Sequence, residues 1–252
     1  MINNNVMART EAHSVVNQLG CFSVIEYSKD VSVSPGSAQI AYFMGKMGVR
    51  KRQVVATLNN QGVILQAGAM QIMAGNVNMN TNVQGAGDLF KKMIGSKVTG
   101  ETAIKPRYFG SGQVIFEPTY KYILLEDLSK WNGAVTIEDG LFLACDDTVQ
   151  MKVTARSNFS SAIAGGEGLF NTTLVGAGVA VLESPAPAEE LLIFDLQNDV
   201  LKIDGNMAIA WSNTLQFTVE RSSRSLVGSA ASGEGLVNVY RGTGRVLVAP
   251  VA

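Results

Sequence analysis

The chain has 252 residues, of which 46% are hydrophobic and 16% charged, and its net charge is −1. Apolar content at that level with so few charges fits a well-buried globular chain and argues against intrinsic disorder. The near-neutral balance gives no general attraction to nucleic acid or anionic membrane. Twenty-six glycines against six prolines point to many tight turns and bends. Cys21 and Cys145 have no paired spacing and read as two free, strand-borne thiols in a reducing compartment rather than as a disulfide. The N-terminus lacks a basic segment followed by an apolar one, and no apolar run approaches the roughly 18 residues of a membrane span, so the expected location is the cytoplasm.

Residues 1–20 are polar and mixed; 9–19 can be written as a short helix stopped by Gly20, although Val15-Val16 fits a strand as well. Residues 22–33 alternate and predict a strand with a turn near Ser28-Lys29-Asp30. Ser34-Pro35-Gly36 is a turn by chemistry, because Pro presets φ and Gly accepts positive φ. A strand is predicted over 40–44, and the glycines of Gly45-Lys46-Met47-Gly48 then place Arg50-Lys51-Arg52 near a hairpin tip ahead of Val54-Val55. This triplet is the only dense basic cluster and reads as a solvated tip or as protection of a sheet edge. Asn59-Asn60-Gln61-Gly62 predicts a turn and 63–73 a strand. Asn76, Asn78, Asn80 and Asn82 alternate with Val77, Met79 and Val83, which predicts a strand with one wet face. Residues 88–94 have an acidic start, an apolar set and Gly95 as a stop, and predict a helix of about two turns. Beyond Gly100 the pattern predicts strands only: 122–128, 135–137, 141–145 and 149–154, then 191–196, 201–203, 207–211 and 215–219. Short strands at such spacing indicate an all-β sandwich or barrel.

The second set of strands repeats the first. Gly-x-Gly pairs stand at Gly110 and Gly112, Gly176 and Gly178, and Gly242 and Gly244, a strict period of 66 residues. Eight or nine residues before each stands a glutamate: Glu101, Glu167 within Gly166-Glu167-Gly168, and Glu234. Two units near 100–165 and 166–232 are complete, and a third is expected to be assembled from 22–99 and 233–252. The ends would then pack together and close a single domain, 22–252, of approximate threefold symmetry behind an N-terminal segment, 1–21. Glycine inside a strand marks a bulge, a bend or a close backbone approach. The three glutamates are expected to accept backbone N–H bonds at these corners; a symmetric metal or ligand site is the alternative, disfavoured because no His or Cys accompanies them.

The Gly166-Glu167-Gly168-Leu169-Phe170…Gly176-x-Gly178-x-Ala180 pattern, Ala67-Gly68-Ala69-Met70 and the Asp204-Gly205 turn resemble the altered-inheritance-of-mitochondria family. The resemblance spans roughly residues 22–252 and is strongest from Gly165 onward. The first repeat departs from it, with Glu101-Thr102 where Glu-Gly would stand, and the hairpin around Arg50 looks like an addition. Members of that family look like the tryptophan-RNA-binding attenuator protein in fold, which implies β-sandwich repeats of double-stranded β-helix type. The resemblance carries no biochemical activity to any residue here.

Catalytic residue types are sparse. His13 is the one histidine, so triad chemistry would have to use it, and zinc or iron sites lack their clustered His and Cys. Gly165-Gly166-Glu167-Gly168 lacks the Lys-Ser/Thr of a phosphate loop, and Gly110-Ser111-Gly112 opens a strand rather than a helix. Asp146-Asp147 and Glu189-Glu190 read as solvated turn acids rather than an acid–base pair. No cofactor, metal or catalytic residue is expected. The favoured function is a non-catalytic scaffold or interaction module that self-associates through β surfaces. The alternatives are an RNA or nucleotide binder, by fold analogy, and an enzyme using the symmetry-related acids. Peripheral membrane contact through Arg50-Lys51-Arg52 beside Met44 and Met47 is a variant of the first.

Overall fold

The computed structural model describes residues 2–81, 105–155, 170–221 and 236–250. In chain order its strands are β1 (His13–Leu19), β2 (Phe22–Tyr27), β3 (Arg52–Leu65), β4 (Met70–Asn80), β5 (Arg107–Phe116), β6 (Tyr122–Asp127), β7 (Ala134–Ile137) and β8 (Phe142–Asp146). There follow β9 (Gln150–Ala155), β10 (Phe170–Val175), β11 (Val179–Ser184), β12 (Leu192–Asp204), β13 (Ala208–Ser212), β14 (Gln216–Arg221) and β15 (Leu236–Val248). The all-β expectation holds, and the strands expected at 122–128, 135–137, 141–145, 149–154, 207–211 and 215–219 lie within a few residues of observed ones, whereas 191–196 and 201–203 are parts of the single strand β12. Among the described residues one α-helix, α1 (Ala38–Lys46), joins β2 to β3; the helix expected over 88–94 lies outside them.

The strands form two antiparallel sheets. One runs β1-β2-β3-β8-β11-β6, with β5 joining β3 to β4; the other runs β12-β15-β13-β7-β10-β9, with β14 beside β15. Long strands tie several partners together. Along its length β3 pairs with β2 from Arg52 to Ala56, with β5 from Val55 to Ile64 and with β8 from Val63 to Leu65.

Two expectations are corrected by the structure. Asn59-Asn60-Gln61-Gly62 is not a turn but a bulge within β3: Asn60 takes φ 52 and the register shifts between Asn59 and Gln61. Asn tolerates the left-handed conformation, and one inserted residue bends a strand without reversing it. The reversal comes later, where Ala69 N–H donates to Gln66 O at 3.1 Å. Residues 40–44 are helical rather than extended. Their apolar residues follow no alternation, and Gly48 at φ +79, with Val49 N–H donating to Met44 O at 2.9 Å, caps a helix end. Within the N-terminal segment 1–21, β1 pairs with β2 through most of its length. β15 pairs with β12, β13 and β14, and the described strands of the two chain ends lie in different sheets.

The core forms as clusters along the sheets. Phe22, Val54, Leu65, Phe116 and Val181 pack in one, and Leu128, Trp131, Ile137, Leu174 and Leu182 in a second. In a third, Trp211 lies 5.5 Å from Phe217 and 5.4 Å from Tyr240 between ring centroids. Each such fully buried side chain contributes about 1.5–3 kcal/mol by transfer from water.

Candidate functional site

The glycine corners come first, because the repeat points to them. Gly110 and Gly112 lie within β5 at φ 131 and 156, Gly176 and Gly178 between β10 and β11 at φ 130 and 141, and Gly242 within β15 at φ 117. Gly244 lacks such a φ, but a Cβ there would stand 2.8 Å from the Ser212 side chain. The crowding is tightest at Gly112, where a Cβ would fall 2.1 Å from the backbone oxygen of Ala74.

Short polar side chains tie these bends. Thr148 Oγ1 donates to Ala177 O at 2.7 Å, and Thr214 Oγ1 donates to Thr243 O at 2.8 Å. Asp146 Oδ2 accepts from Val179 N–H at 2.7 Å, and Ser212 Oγ accepts from Arg245 N–H at 2.9 Å. The second contact of each pair lies 66 residues after the first. The expected ties, Glu101, Glu167 and Glu234, lie with Gly166 and Gly168 outside the described residues. Thr148 with Thr214 and Asp146 with Ser212 were missed, although their common offset was legible in the sequence.

Asp146 and Asp147 are not the free solvated acids expected. Cys21 Sγ donates to Asp146 Oδ1 at 3.5 Å, and Arg107 donates to Asp147 Oδ2 from Nη2 at 2.5 Å and from Nε at 2.8 Å. With Gln61, Gly62 and Thr148 they line a shallow cavity of about 420 Å³. Burial first, and the neighbouring Asp146 second, push the thiols of Cys21 and Cys145 up to about 12, so both are protonated and poor nucleophiles at neutral pH. Neither cysteine is in a disulfide. His13 opens β1, with Nδ1 3.2 Å from Thr10 Oγ1 and its ring tilted against Tyr27 at 5.5 Å. Among the described residues, no three His, Cys, Asp or Glu form a group that could hold a metal ion.

The features turned outward are different. Glu26 of β2 stands opposite Arg52 of β3, and the chain between them leaves the sheet as an arm that carries α1. Polar contacts anchor the arm. Tyr27 N–H donates to Lys51 O at 2.9 Å, Lys51 pairs with Asp30 at 3.2 Å, and the Tyr120 hydroxyl donates to the same carboxylate. The Tyr120 hydrogen bond, reinforced by Lys51, holds the Asp30 carboxyl below the usual carboxylate range. Arg50 donates to Ser28 O.

No residue of α1 is buried. Ala41, Met44 and Gly45 form its half-buried inner face. Ile40, Phe43 and Met47 recur at helical spacing on an outer flank and are 64%, 57% and 82% exposed. Tyr42 is exposed beside Lys46, whose ammonium lies 5.4 Å from the ring centroid. The basic triplet is not a hairpin tip, because Arg52 is already in β3, buried, 2.7 Å from Glu26 and 4.2 Å over the Tyr122 ring. From Ser28 to Arg52 the chain nevertheless carries five cations against one acid, where the remainder carries fifteen against twenty.

A second outward feature is the edge strand β12. Among the described strands it pairs with β15 alone, and Leu192, Ile193, Phe194 and Val200 are exposed along it. The other sheet ends similarly at β4, which pairs with β5 alone and exposes Ile72, Met73 and Met79.

Comparison with known proteins places this architecture. The model of the family described as mitochondrial biogenesis AIM24 matches residues 47–251. The chain belongs to this family. An uncharacterised protein of Streptococcus pyogenes serotype M6 is 30% identical to it over 194 residues, covering 74% of this chain and 75% of that protein. The crystal structure of another Streptococcus pyogenes protein superposes on it with a TM-score of 0.59 at 24% identity, covering 95% of this chain and 93% of that one, which shows a shared fold. The AIM24 match begins just after α1, so the helix stands outside the matched region. No helix among the described residues is long and apolar enough to cross a membrane.

Proposed function

We propose that this AIM24-family chain is a non-catalytic β scaffold that assembles with copies of itself through the open edge of β12. The observation that carries the reading is that edge: Leu192, Ile193 and Phe194 are exposed in succession on a strand with one pairing side free among the described strands. An unpaired row of backbone N–H and C=O groups beside apolar side chains is a template for another strand. An antiparallel edge is its own complement, so a second copy satisfies it and closes the assembly about a twofold axis. The register shift between Leu196 and Asp199 bends β12 and confines this pairing to its first half. The polar groups at the glycine corners support the same reading, because Asp146, Thr148, Ser212 and Thr214 are committed to backbone ties. The alternatives raised by the sequence, an RNA or nucleotide binder and an enzyme built on Glu101, Glu167 and Glu234, draw on fold analogy and on residues outside the described ones.

Light scattering in lipid-free buffer tests the proposal. The chain is expected to elute at a multiple of its 26.8 kDa monomer mass. Ile193→Lys, which places a charge on an exposed position, is expected to reduce it to the monomer with the melting temperature unchanged. A monomeric wild type at micromolar concentration, or an Ile193→Lys variant of unchanged mass, overturns the reading.

A further inference from the structure

We infer that the α1 arm docks this chain on the surface of an anionic lipid bilayer, a role separate from assembly through β12. A short helix with no buried residue gains no stability from a core, yet α1 turns Ile40, Phe43 and Met47 to solvent at helical spacing. Isolated apolar side chains on a surface are ordinary, but a contiguous set on one projecting element marks an interaction site. The cations share that element. Lys29, Lys46 and Arg50 line one groove of about 620 Å³ together with Val31, Val33 and Tyr42; Ile40, Phe43 and Met47 lie outside this groove, and Lys46, three residues after Phe43, borders their flank. The one acid of this stretch, Asp30, is occupied by Lys51 and Tyr120, which leaves the field of the arm positive.

That combination fits an interface where an anionic headgroup layer overlies hydrocarbon. Ile40, Phe43 and Met47 would enter the acyl boundary to a depth of roughly 5–10 Å while Lys29 and Lys46 remain at headgroup level. A soluble polyanion such as RNA would use the cations but leave exposed Val31, Ile40 and Met47 without a counterpart, since these side chains offer no stacking face. The arm also has the position for the task. It replaces the turn between two adjacent strands, so a planar surface can approach it without disturbing the sheet ladder.

Vesicle flotation of the full chain tests this. Binding is expected to phosphatidylcholine vesicles that contain about one-third phosphatidylglycerol, not to phosphatidylcholine alone, and is expected to weaken as salt is raised. Lys29→Gln with Lys46→Gln is expected to lower the partition on the order of ten-fold or more, at about five-fold per cation removed. Phe43→Ser with Met47→Ser is expected to abolish binding even at low salt while the melting temperature stays put, because both side chains are exposed. Equal binding to neutral vesicles, no binding to anionic ones, or retention by the doubly substituted Phe43→Ser, Met47→Ser chain overturns the inference. So does Lys29- and Lys46-dependent binding of RNA or polyglutamate without vesicle binding, which would assign the cations to a soluble polyanion. Light scattering without lipid reports on β12 separately, so either proposal can fail alone.

Discussion

Gly112→Ala is the sharpest test of how the corners hold. Gly112 sits mid-strand in β5, opposite Leu58 of β3 on one side and Gly75 of β4 on the other. A Cβ would lie 2.1 Å from Ala74 O, 3.1 Å from Ala74 C and 2.8 Å from Val77 Cγ2. Two of these are backbone atoms, so the clash cannot be relieved by a rotamer change, and β4 must move by about 1 Å to restore van der Waals contact. The φ of +156 adds strain for any residue with a Cβ. Such a conformation costs about 1–3 kcal/mol, and each β4–β5 hydrogen bond lost as β4 moves costs a further ~1 kcal/mol, for a total of about 3–5 kcal/mol. In a domain of this size that lowers the melting temperature by roughly 10 °C.

Two controls separate space from φ. Gly140→Ala, at φ +77 with nothing within 4 Å, is expected to cost about 1 kcal/mol. Gly36→Ala, without a positive φ and with nothing within 4 Å, is expected to be neutral within about 0.5 kcal/mol. Urea unfolding followed by circular dichroism and by the buried Trp131 and Trp211 reads all three. A Gly112→Ala chain within about 1 kcal/mol of wild type, or no more affected than Gly140→Ala, refutes the close-approach argument.

Other outcomes follow from the same contacts. Asp146→Ala removes the acceptor for Val179 N–H and is expected to cost about 1–2 kcal/mol in urea unfolding, whereas Asp146→Asn keeps an acceptor oxygen and is expected to recover most of it. With both thiols pushed up to about 12, native Cys21 and Cys145 are expected to react with a maleimide at pH 8 at least a hundred-fold more slowly than in denaturant. The raised thiol values also set an alkaline limit. An unfolded thiol ionises near pH 8.5, so this contribution to stability is intact below that pH and is lost as pH climbs toward 12. A flat melting temperature between pH 8 and pH 11 would contradict it.

The parts of this fold that were legible in the sequence are those where local pattern and burial coincide. In β13 every residue is buried, and in β7 and β8 nearly every one is, so short apolar runs between turn residues announced them. α1 was misread because its outer flank is apolar and solvated; Ile40, Tyr42 and Phe43 look like a strand when burial is assumed. The Asn60 bulge was misread because a left-handed Asn serves a turn and a bulge equally well, and only the continuous pairing of β3 with β5 distinguishes them. The whole-chain charge concealed the arm, since its five cations are offset by acids elsewhere.

Composition and the strand pattern determined that this chain is all-β, and the glycines at Gly110, Gly112, Gly176, Gly178 and Gly242 take positive φ. Those are local properties, set by which residues can bend a strand or be buried on its face. Tertiary structure decided which strands meet, which edges stay open and which apolar residues remain in water. β15 lies beside β12, β13 and β14, and among the described residues the edge of β12 is unpaired and the outer flank of α1 is exposed. The physical reason is that an apolar side chain has the same propensity whether it finds a partner or not, and the partner is chosen by long-range pairing that no window of sequence contains.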